Sequence, residues 1–124
     1  MPDFFVGTDI LTISRIESAI SSSSGERFLH RIFTSKEITY CQSKTNPVIH
    51  FAGRFAAKES VTKAILSSKV LTRISLKDIE ILPDDNGAPV VFISKKISSE
   101  YQCKVSISHS DESAVAFALI IVTS

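Results

Sequence analysis

The chain has 124 residues, of which 44% are hydrophobic and 22% charged, with a formal net charge of +1 at pH 7. This length suits a single domain, 1–124, built around one core. A net charge so close to zero provides no general attraction to polyanions, so we do not expect a nucleic acid partner. The sequence lacks both a run of eighteen apolar residues and a basic amino-terminal segment. We therefore expect no membrane span, no signal peptide and a cytoplasmic location.

The first third of the chain predicts one strand followed by short helices. Phe4 to Ile10 has the aromatic and β-branched content of a strand, which we expect to end at Asp9. Two stretches have the spacing of a helix capping box: Ser14 with Glu17, and Thr34 with Glu37. They predict a helix that runs to about residue 20 and another that begins at Thr34, with a short helix around residues 28–33 between them.

The central segment predicts a long helix from about residue 48 to the Ser67-Ser68 pair. At 100° per residue, its apolar side chains form a stripe of Val48, Phe51, Ala52, Phe55, Ala56 and Leu66. Glu59 falls within this stripe. Because an unpaired carboxylate facing a core is strongly destabilising, we expect a positive group beside Glu59.

The last third predicts two hairpins. The first joins Leu76–Leu82 to Pro89–Ile93 through Asn86-Gly87, a strong turn signal. The second joins Lys104–His109 to Ser113–Val122. Between the hairpins, residues 94–101 have the composition of a short helix.

The final strand carries alanines at positions 114, 116 and 118 on one face, which would let a helix approach closely. Together these elements indicate an α+β domain with an antiparallel sheet packed against a long central helix.

Asp9 and Glu59 lie on elements that must pack together, and they could share one divalent ion. Mg²⁺ takes one or two protein carboxylates and completes its shell with water and phosphate oxygens. Spacing alone favours two plainer roles: an ion pair between Glu59 and Lys63, four residues apart, and a helix-capping role for Asp9. The residues therefore leave a magnesium site as one of two interpretations.

Arg54, Lys58 and Lys63 give the central helix three cations within ten residues. They could bind phosphates, although composition favours a solvated helix face. His109-Ser110 lies at the mouth of the second hairpin, where an imidazole could contact a phosphate or move a proton, although a single loop histidine usually has no such role. Cys41 and Cys103 lack metal-ligand spacing, and we expect both to be packing residues.

Taken in order, the sequence blocks resemble the bacterial holo-acyl-carrier-protein synthases, the small class of phosphopantetheinyl transferases. The resemblance spans nearly the whole chain and rests on five blocks: Gly7-Thr-Asp-Ile10 with Arg15-Ile-Glu17; Arg27-Phe-Leu with Arg31-Ile-Phe-Thr34 and Glu37; Phe51 to Ala64; Asp78-Ile-Glu80 with Gly87-x-Pro89; and Ser106 to Ser110. The third block has the family pattern Phe-Ala-x-Arg-Phe-Ala-x-Lys-Glu followed by Lys-Ala.

This resemblance implies a Mg²⁺-dependent transfer of 4′-phosphopantetheine from coenzyme A to a serine of apo-acyl carrier protein, in fatty acid biosynthesis, with release of adenosine 3′,5′-bisphosphate. It implies a homotrimer that binds coenzyme A between neighbouring subunits. The implied roles are metal binding for Asp9 and Glu59; catalysis for Glu59 and Lys63; substrate binding for Arg54, Thr62, Lys63, His109 and Ser110; and carrier-protein binding for Arg15, with Arg27, Arg31 and Lys44 as weaker candidates. The base that takes the serine proton is either a metal-bound water or Glu59 itself.

The sequence departs from the family pattern after Ala64, where Ile65-Leu-Ser-Ser-Lys69 replaces a Gly-Thr-Gly-like turn. The glycine turn would give the backbone close access to a ligand, and without it we expect a slightly longer helix. The departure leaves one alternative function open, a non-catalytic module of the same fold that binds carrier proteins. A second alternative, a Mg²⁺-dependent phosphohydrolase acting on a small nucleotide, rests only on the acids and cations.

Overall fold

The computed structural model describes residues 1–123 as an α+β fold, as predicted. Its elements, in chain order, are β1 (Pro2–Thr12), α1 (Ile13–Ser21), α2 (Gly25–Ile32), α3 (Ser35–Gln42), α4 (Pro47–Ser68), β2 (Ile79–Pro83), β3 (Pro89–Ile93), β4 (Glu100–His109) and β5 (Ser113–Thr123). A short 3₁₀ turn, Leu76–Asp78, precedes β2. None of the helices within residues 1–123 combines the length and hydropathy needed to cross a membrane.

The strands form two antiparallel sheets. β1, β5 and β4 make a three-stranded sheet in that order, with β5 in the centre, and β2 pairs with β3 in a separate hairpin. The register places Gly7 opposite Ala118 and Asp9 opposite Ala116. Both predicted hairpins are confirmed, although the first begins at Ile79 rather than Leu76 and the second at Glu100 rather than Lys104.

The long helix α4 packs across the three-stranded sheet. The side of β5 that faces α4 carries Ala114, Ala116 and Ala118, all at most 2% exposed. Because alanine side chains are small, the helix axis comes close to the sheet, as the alternation in β5 predicted.

Gly7 is where β1 touches the backbone of α4. A Cβ atom added to Gly7 would lie 2.1 Å from the carbonyl oxygen of Ser60 and 2.8 Å from the amide nitrogen of Ala64. No residue other than glycine fits this contact without moving the strand. The contact sets the height of β1 above α4 and so determines where Asp9, two residues further on, meets the helix.

A buried ion pair joins α4 to α3 and β2. Lys58 and Glu37 are both 0% exposed, and the Lys58 ammonium donates to Oε1 of Glu37. Glu37 also accepts hydrogen bonds from the backbone N–H of Thr34 at 2.9 Å and of Ile81 at 2.7 Å. The predicted capping box at Thr34 is thus confirmed, since the Thr34 hydroxyl accepts from the Glu37 N–H as well. The solvated face predicted for Lys58 is wrong: burial lowers the pKa of its ammonium, and the charge of Glu37 opposes that shift.

Three local predictions in the strands and helices are wrong, each because a tertiary contact decides the outcome. β1 continues past Asp9 to Thr12, since β5 pairs with it over that whole length. The capping box at Ser14 does not form; the N-cap is Thr12, two residues earlier, and the N–H of Ile13 donates to the Glu112 carbonyl of the β4–β5 turn at 2.9 Å. The helix predicted at residues 94–101 does not form: Glu100 and Tyr101 begin β4, and the Ser94 N–H donates to the backbone carbonyl of Asp78 at 2.8 Å, next to the end of the β2–β3 ladder.

The end of α4 differs from the apolar stripe predicted for it. Leu66 is 42% exposed, so it lies outside the buried face. The helix runs through the position of the absent glycine turn and ends at Ser68, as expected from the sequence. Lys69 then terminates it in the left-handed conformation, with φ of 64°. A lysine therefore takes the backbone geometry that glycine usually supplies at a helix end.

We expect the substitution Gly7→Ala to destabilise the protein by about 3 kcal/mol, the upper range for overpacking, because the added methyl group meets backbone atoms that cannot rotate away. Urea unfolding at a fixed protein concentration measures the change. Gly53→Ala is the matched control on α4, because its Cβ would meet a side-chain atom, Cγ2 of Ile107 at 3.0 Å, rather than the backbone. A Gly7→Ala protein as stable as the wild type would contradict the close contact.

Candidate active site

The contact between β1 and α4 brings Asp9, Glu59 and Lys63 together. Lys63 lies four residues after Glu59, about 40° further round the helix, so both project from the same side of α4. The Lys63 ammonium lies 3.2 Å from Oδ1 of Asp9 and donates to the Thr8 carbonyl at 2.9 Å. The ion pair predicted between Glu59 and Lys63 is replaced by one between Lys63 and Asp9, since no salt bridge of Glu59 occurs within residues 1–123.

The electrostatics of this group favour a cation. Burial raises the pKa of the Glu59 carboxyl, the negative charge of Asp9 raises it further, and Lys63 lowers it. The carboxylates of Asp9 and Glu59 therefore repel each other, and the cation beside them is Lys63, which is 54% exposed. A divalent ion between them would relieve this repulsion.

The donor set limits which metal the group could hold. Across residues 1–123, no three His, Cys, Asp or Glu side chains converge as metal ligands. The protein's share would therefore be the two carboxylates of Asp9 and Glu59. Hard oxygen donors in this number fit Mg²⁺, which keeps water or phosphate oxygens in its remaining positions.

Arg54 and His109, two other predicted substrate-binding residues, line a common cavity of about 220 Å³. Arg54 is 7% exposed, so the solvated face predicted for it is wrong. Arg54 precedes Glu59 by five residues, a rotation of about 140° around α4. The cavity and the acid pair therefore open on different sides of the helix within one chain.

Thr62 and Ser110 bond mainly to their own local backbone. The Thr62 hydroxyl donates to the Lys58 carbonyl at 2.8 Å. The Ser110 hydroxyl oxygen accepts the N–H groups of Glu112 at 3.3 Å and Ser113 at 3.2 Å, which shapes the β4–β5 turn. Neither hydroxyl is hydrogen-bonded to Asp9 or Glu59, and neither residue lines the cavity of Arg54.

Arg15 lines a second cavity, of about 270 Å³, where α1, α2 and α4 meet. Its wall is largely apolar and includes Phe28 and Phe55, whose rings stack with centroids 6.3 Å apart. Phe55 lies one helical turn before Glu59, about 6 Å along α4. This cavity, called here the Arg15 cavity, is thus next to the acid pair.

The two cysteines do not contribute a nucleophile. Burial raises the pKa of the Cys41 thiol to about 12 and that of Cys103 to about 11. Both are free and pack against the core, as predicted.

The sequence analysis did not single out His50 or Tyr40, which share the cavity of Arg54. His50 lies four residues before Arg54, so helical spacing could have placed both on one face. Tyr40 comes from α3, and no local signal links it to α4.

Comparison with known proteins identifies the family of this chain. The sequence model of the 4′-phosphopantetheinyl transferase superfamily matches residues 5–118. A holo-[acyl-carrier-protein] synthase of Protochlamydia amoebophila is 44% identical over 117 residues, which cover 92% of this chain and 94% of that protein.

Two solved structures share the fold. The Bacillus anthracis holo-(acyl-carrier-protein) synthase in complex with CoA (3′,5′-ADP) is 34% identical, with a TM-score of 0.77 over 97% of this chain and 96% of that one. The Helicobacter pylori enzyme in complex with coenzyme A is 31% identical, with a TM-score of 0.75 over 95% of this chain and 99% of that one. The chain belongs to the 4′-phosphopantetheinyl transferase superfamily and is an enzyme of the phosphopantetheinyl transferase class.

Proposed function

We propose that the protein transfers 4′-phosphopantetheine from coenzyme A to a serine of apo-acyl carrier protein in a Mg²⁺-dependent reaction of fatty acid biosynthesis. The observation that carries the proposal is the convergence of Asp9, Glu59 and Lys63 where β1 crosses α4. The relatives are named for the same acyl-carrier-protein reaction, and two of their structures contain coenzyme A or its nucleotide portion.

In the proposed reaction, the carrier serine oxygen attacks the phosphorus that bears the pantetheine arm. A new P–O bond forms, the bond to the second phosphate breaks, and adenosine 3′,5′-bisphosphate leaves with the bonding electrons. The serine proton passes to a base, for which the Glu59 carboxylate and a water molecule are the candidates.

The residues of this chain would position the charged groups. Asp9 and Glu59 would hold Mg²⁺, which would offset the negative charge of the pyrophosphate. The Lys63 ammonium, beside Asp9, is within reach of the same group and would stabilise the charge on the leaving phosphate. Arg54 would hold the nucleotide end in its cavity, which His109 also lines.

We assign carrier docking to the Arg15 cavity. Its wall combines an exposed guanidinium with the apolar side chains of Phe28 and Phe55, which suits an acidic helical partner that inserts one apolar side chain. Arg27 and Arg31 are exposed on α2, which also contributes Phe28, and they extend the positive surface. A carrier bound there would bring its serine within about one helical turn of Glu59.

The reaction fits the cytoplasm. Cys41 and Cys103 are both free thiols, and thiols stay reduced in that compartment.

The transfer is tested by incubating the protein with coenzyme A, Mg²⁺ and an apo carrier protein. We expect the carrier to gain the mass of one phosphopantetheine. Glu59→Gln keeps the shape of the side chain but loses its charge, so it should lower the rate by about 100-fold or more, as expected for the loss of one electrostatic contact in a transition state. Intact-protein mass spectrometry measures both effects, and Glu100→Gln, an exposed glutamate at the start of β4, is the control.

The outcomes separate the alternatives. A carrier that binds without gaining mass would support a non-catalytic binding module instead. Full activity in Glu59→Gln would rule out the metal assignment.

We further propose that the protein is a homotrimer with its sites between subunits. The outer side of the three-stranded sheet exposes Phe4, Val6, Ile10, Val115 and Phe117, called here the apolar sheet face; their exposed fractions run from 37% at Val115 to 69% at Ile10. Exposed apolar side chains that lie next to one another on a surface mark a protein interface. The different directions of the acid pair and the Arg54 cavity fit a site completed by a neighbouring subunit.

Sedimentation equilibrium tests the assembly, and we expect the mass of a trimer. Phe117→Glu places a charge in the apolar sheet face and should yield monomers, because burying an unpaired carboxylate is costly. Phe92→Glu is the matched control: Phe92 is 60% exposed on β3, outside this sheet. A monomeric wild type, or a trimeric Phe117→Glu protein, would contradict the proposal.

A further inference from the structure

The cavity of Arg54 is lined by cationic and neutral groups. It lies between α3, the first half of α4, the β2–β3 turn and the end of β4, and its walls include Tyr40, His50, Arg54, Gly87, Pro89 and His109. No aspartate or glutamate of residues 1–123 is part of its lining. A buried guanidinium and two imidazoles around a space free of carboxylates form a site for an anion.

Two cationic side chains, Arg54 and Lys44, pack over the ring of Tyr40. The Arg54 guanidinium carbon lies 4.4 Å from the centroid of the Tyr40 ring, and the Lys44 ammonium lies 4.8 Å from the same centroid. The His50 ring meets Tyr40 edge-on at 5.9 Å. Arg54 is fixed further because its Nε donates to the Ile81 carbonyl at 3.3 Å. Within residues 1–123 no acceptor takes a hydrogen bond from the terminal amino groups of Arg54, which leaves them available to a ligand.

The nearby acids are engaged elsewhere. Glu37, the buried carboxylate of α3, is bonded to Lys58. Asp84, in the β2–β3 turn, accepts the N–H groups of Asn86 at 2.8 Å and Ala88 at 3.0 Å. Asp85 of the same turn and Asp111 and Glu112 of the β4–β5 turn are exposed to solvent. Among residues 1–123, the lining of the cavity therefore contributes no carboxylate to offset the charge of Arg54.

His50 is the group that responds to this charge. Burial lowers its pKa, and the charges of Arg54, Lys44 and His109 lower it further. These charges therefore favour the neutral imidazole, and a neutral imidazole can donate only one N–H.

We propose that His50, in the wall of this cavity, takes up a proton when the phosphate at the nucleotide end of coenzyme A enters. The inference rests on the proposed function and names a residue and a proton that the proposed function does not include. A phosphate dianion beside His50 favours the imidazolium, which then donates a charged hydrogen bond in addition to the contacts of Arg54.

This coupling has a defined sign. Bound phosphate raises the pKa of His50 above its value in the empty cavity. At a pH between these two pKa values of His50, phosphate binding takes up a proton. The affinity for phosphate therefore falls as the pH rises, by at most about tenfold per pH unit for one proton. Below the pKa that His50 has without phosphate, the imidazole is already charged. The contribution of His50 to the affinity is then independent of pH.

Calorimetric titration with adenosine 3′,5′-bisphosphate between pH 6 and 8 tests the proposal. Measurements in two buffers of different ionisation enthalpy count the protons taken up. We expect uptake by the wild type and a marked loss of uptake in His50→Gln. The phosphate monoester itself titrates at a pH of about 6. The readout is therefore the difference in proton uptake between the wild type and His50→Gln.

His30→Gln is the matched control, because His30 is an exposed histidine on α2 that faces Glu26 rather than this cavity. It should take up the same number of protons as the wild type. NMR titration of the histidine rings in the wild type gives a second measurement that does not depend on a variant. We expect the pKa of His50 to rise when the protein is saturated with ligand.

The outcomes distinguish this inference from the proposed function. If the wild type binds neither adenosine 3′,5′-bisphosphate nor coenzyme A, the proposed function fails. If it binds them but His50→Gln takes up as many protons as the wild type, or the pKa of His50 does not rise on saturation, the role of His50 is overturned and the transfer reaction remains.

Discussion

The contact of Gly7 with the backbone of α4 is the constraint on which the candidate site depends. A side chain at this position would collide with the Ser60 carbonyl and force β1 away from the helix. The alanines of β5 permit the same close approach in the neighbouring strand. Because the sheet lies so near the helix, a carboxylate on β1 and a carboxylate on α4 meet although fifty residues separate them in sequence.

The Glu37–Lys58 pair constrains the other side of α4. The ammonium of Lys58 is held by a carboxylate that is itself fixed by backbone groups of Thr34 and Ile81. Removing one partner of a buried pair typically costs about 3–5 kcal/mol, so α4 cannot rotate cheaply about its axis. Since Glu59 is the next residue, the rotation that buries Lys58 also sets the direction in which Glu59 projects. One contact therefore fixes the distance between strand and helix, and the other fixes the orientation of the helix.

Much of this architecture could be predicted from local patterns. The limits of α4, the two hairpins and the alanine face of β5 follow from periodicity and turn residues, which act over a few positions. The capping box at Thr34 formed for the same reason, but the sequence did not reveal that Glu37 also binds Lys58 and Ile81 from distant elements. The box at Ser14 did not form: α1 already begins at Ile13, whose N–H donates to the Glu112 carbonyl of the β4–β5 turn, about a hundred residues away.

The candidate site, too, could be predicted only in part from the sequence. Asp9 and Glu59 could be proposed as partners because each is a carboxylate on an element that must pack, and the family resemblance strengthened that hypothesis. The ion pair of Lys63 with Asp9 could not be foreseen, since it depends on how closely β1 approaches α4. His50 was missed because a histidine on a helix becomes informative only once Tyr40, Arg54 and His109 are seen around it.

The central claim is that Asp9 and Glu59 hold one divalent ion against the substrate. Crystals grown with coenzyme A and Mn²⁺, a substitute for Mg²⁺ with a usable anomalous signal, test it most directly. The account predicts an anomalous peak in contact with carboxylate oxygens of both residues and with a phosphate oxygen of coenzyme A. Bound coenzyme A with a manganese peak away from both carboxylates, or with no peak at all, would contradict it.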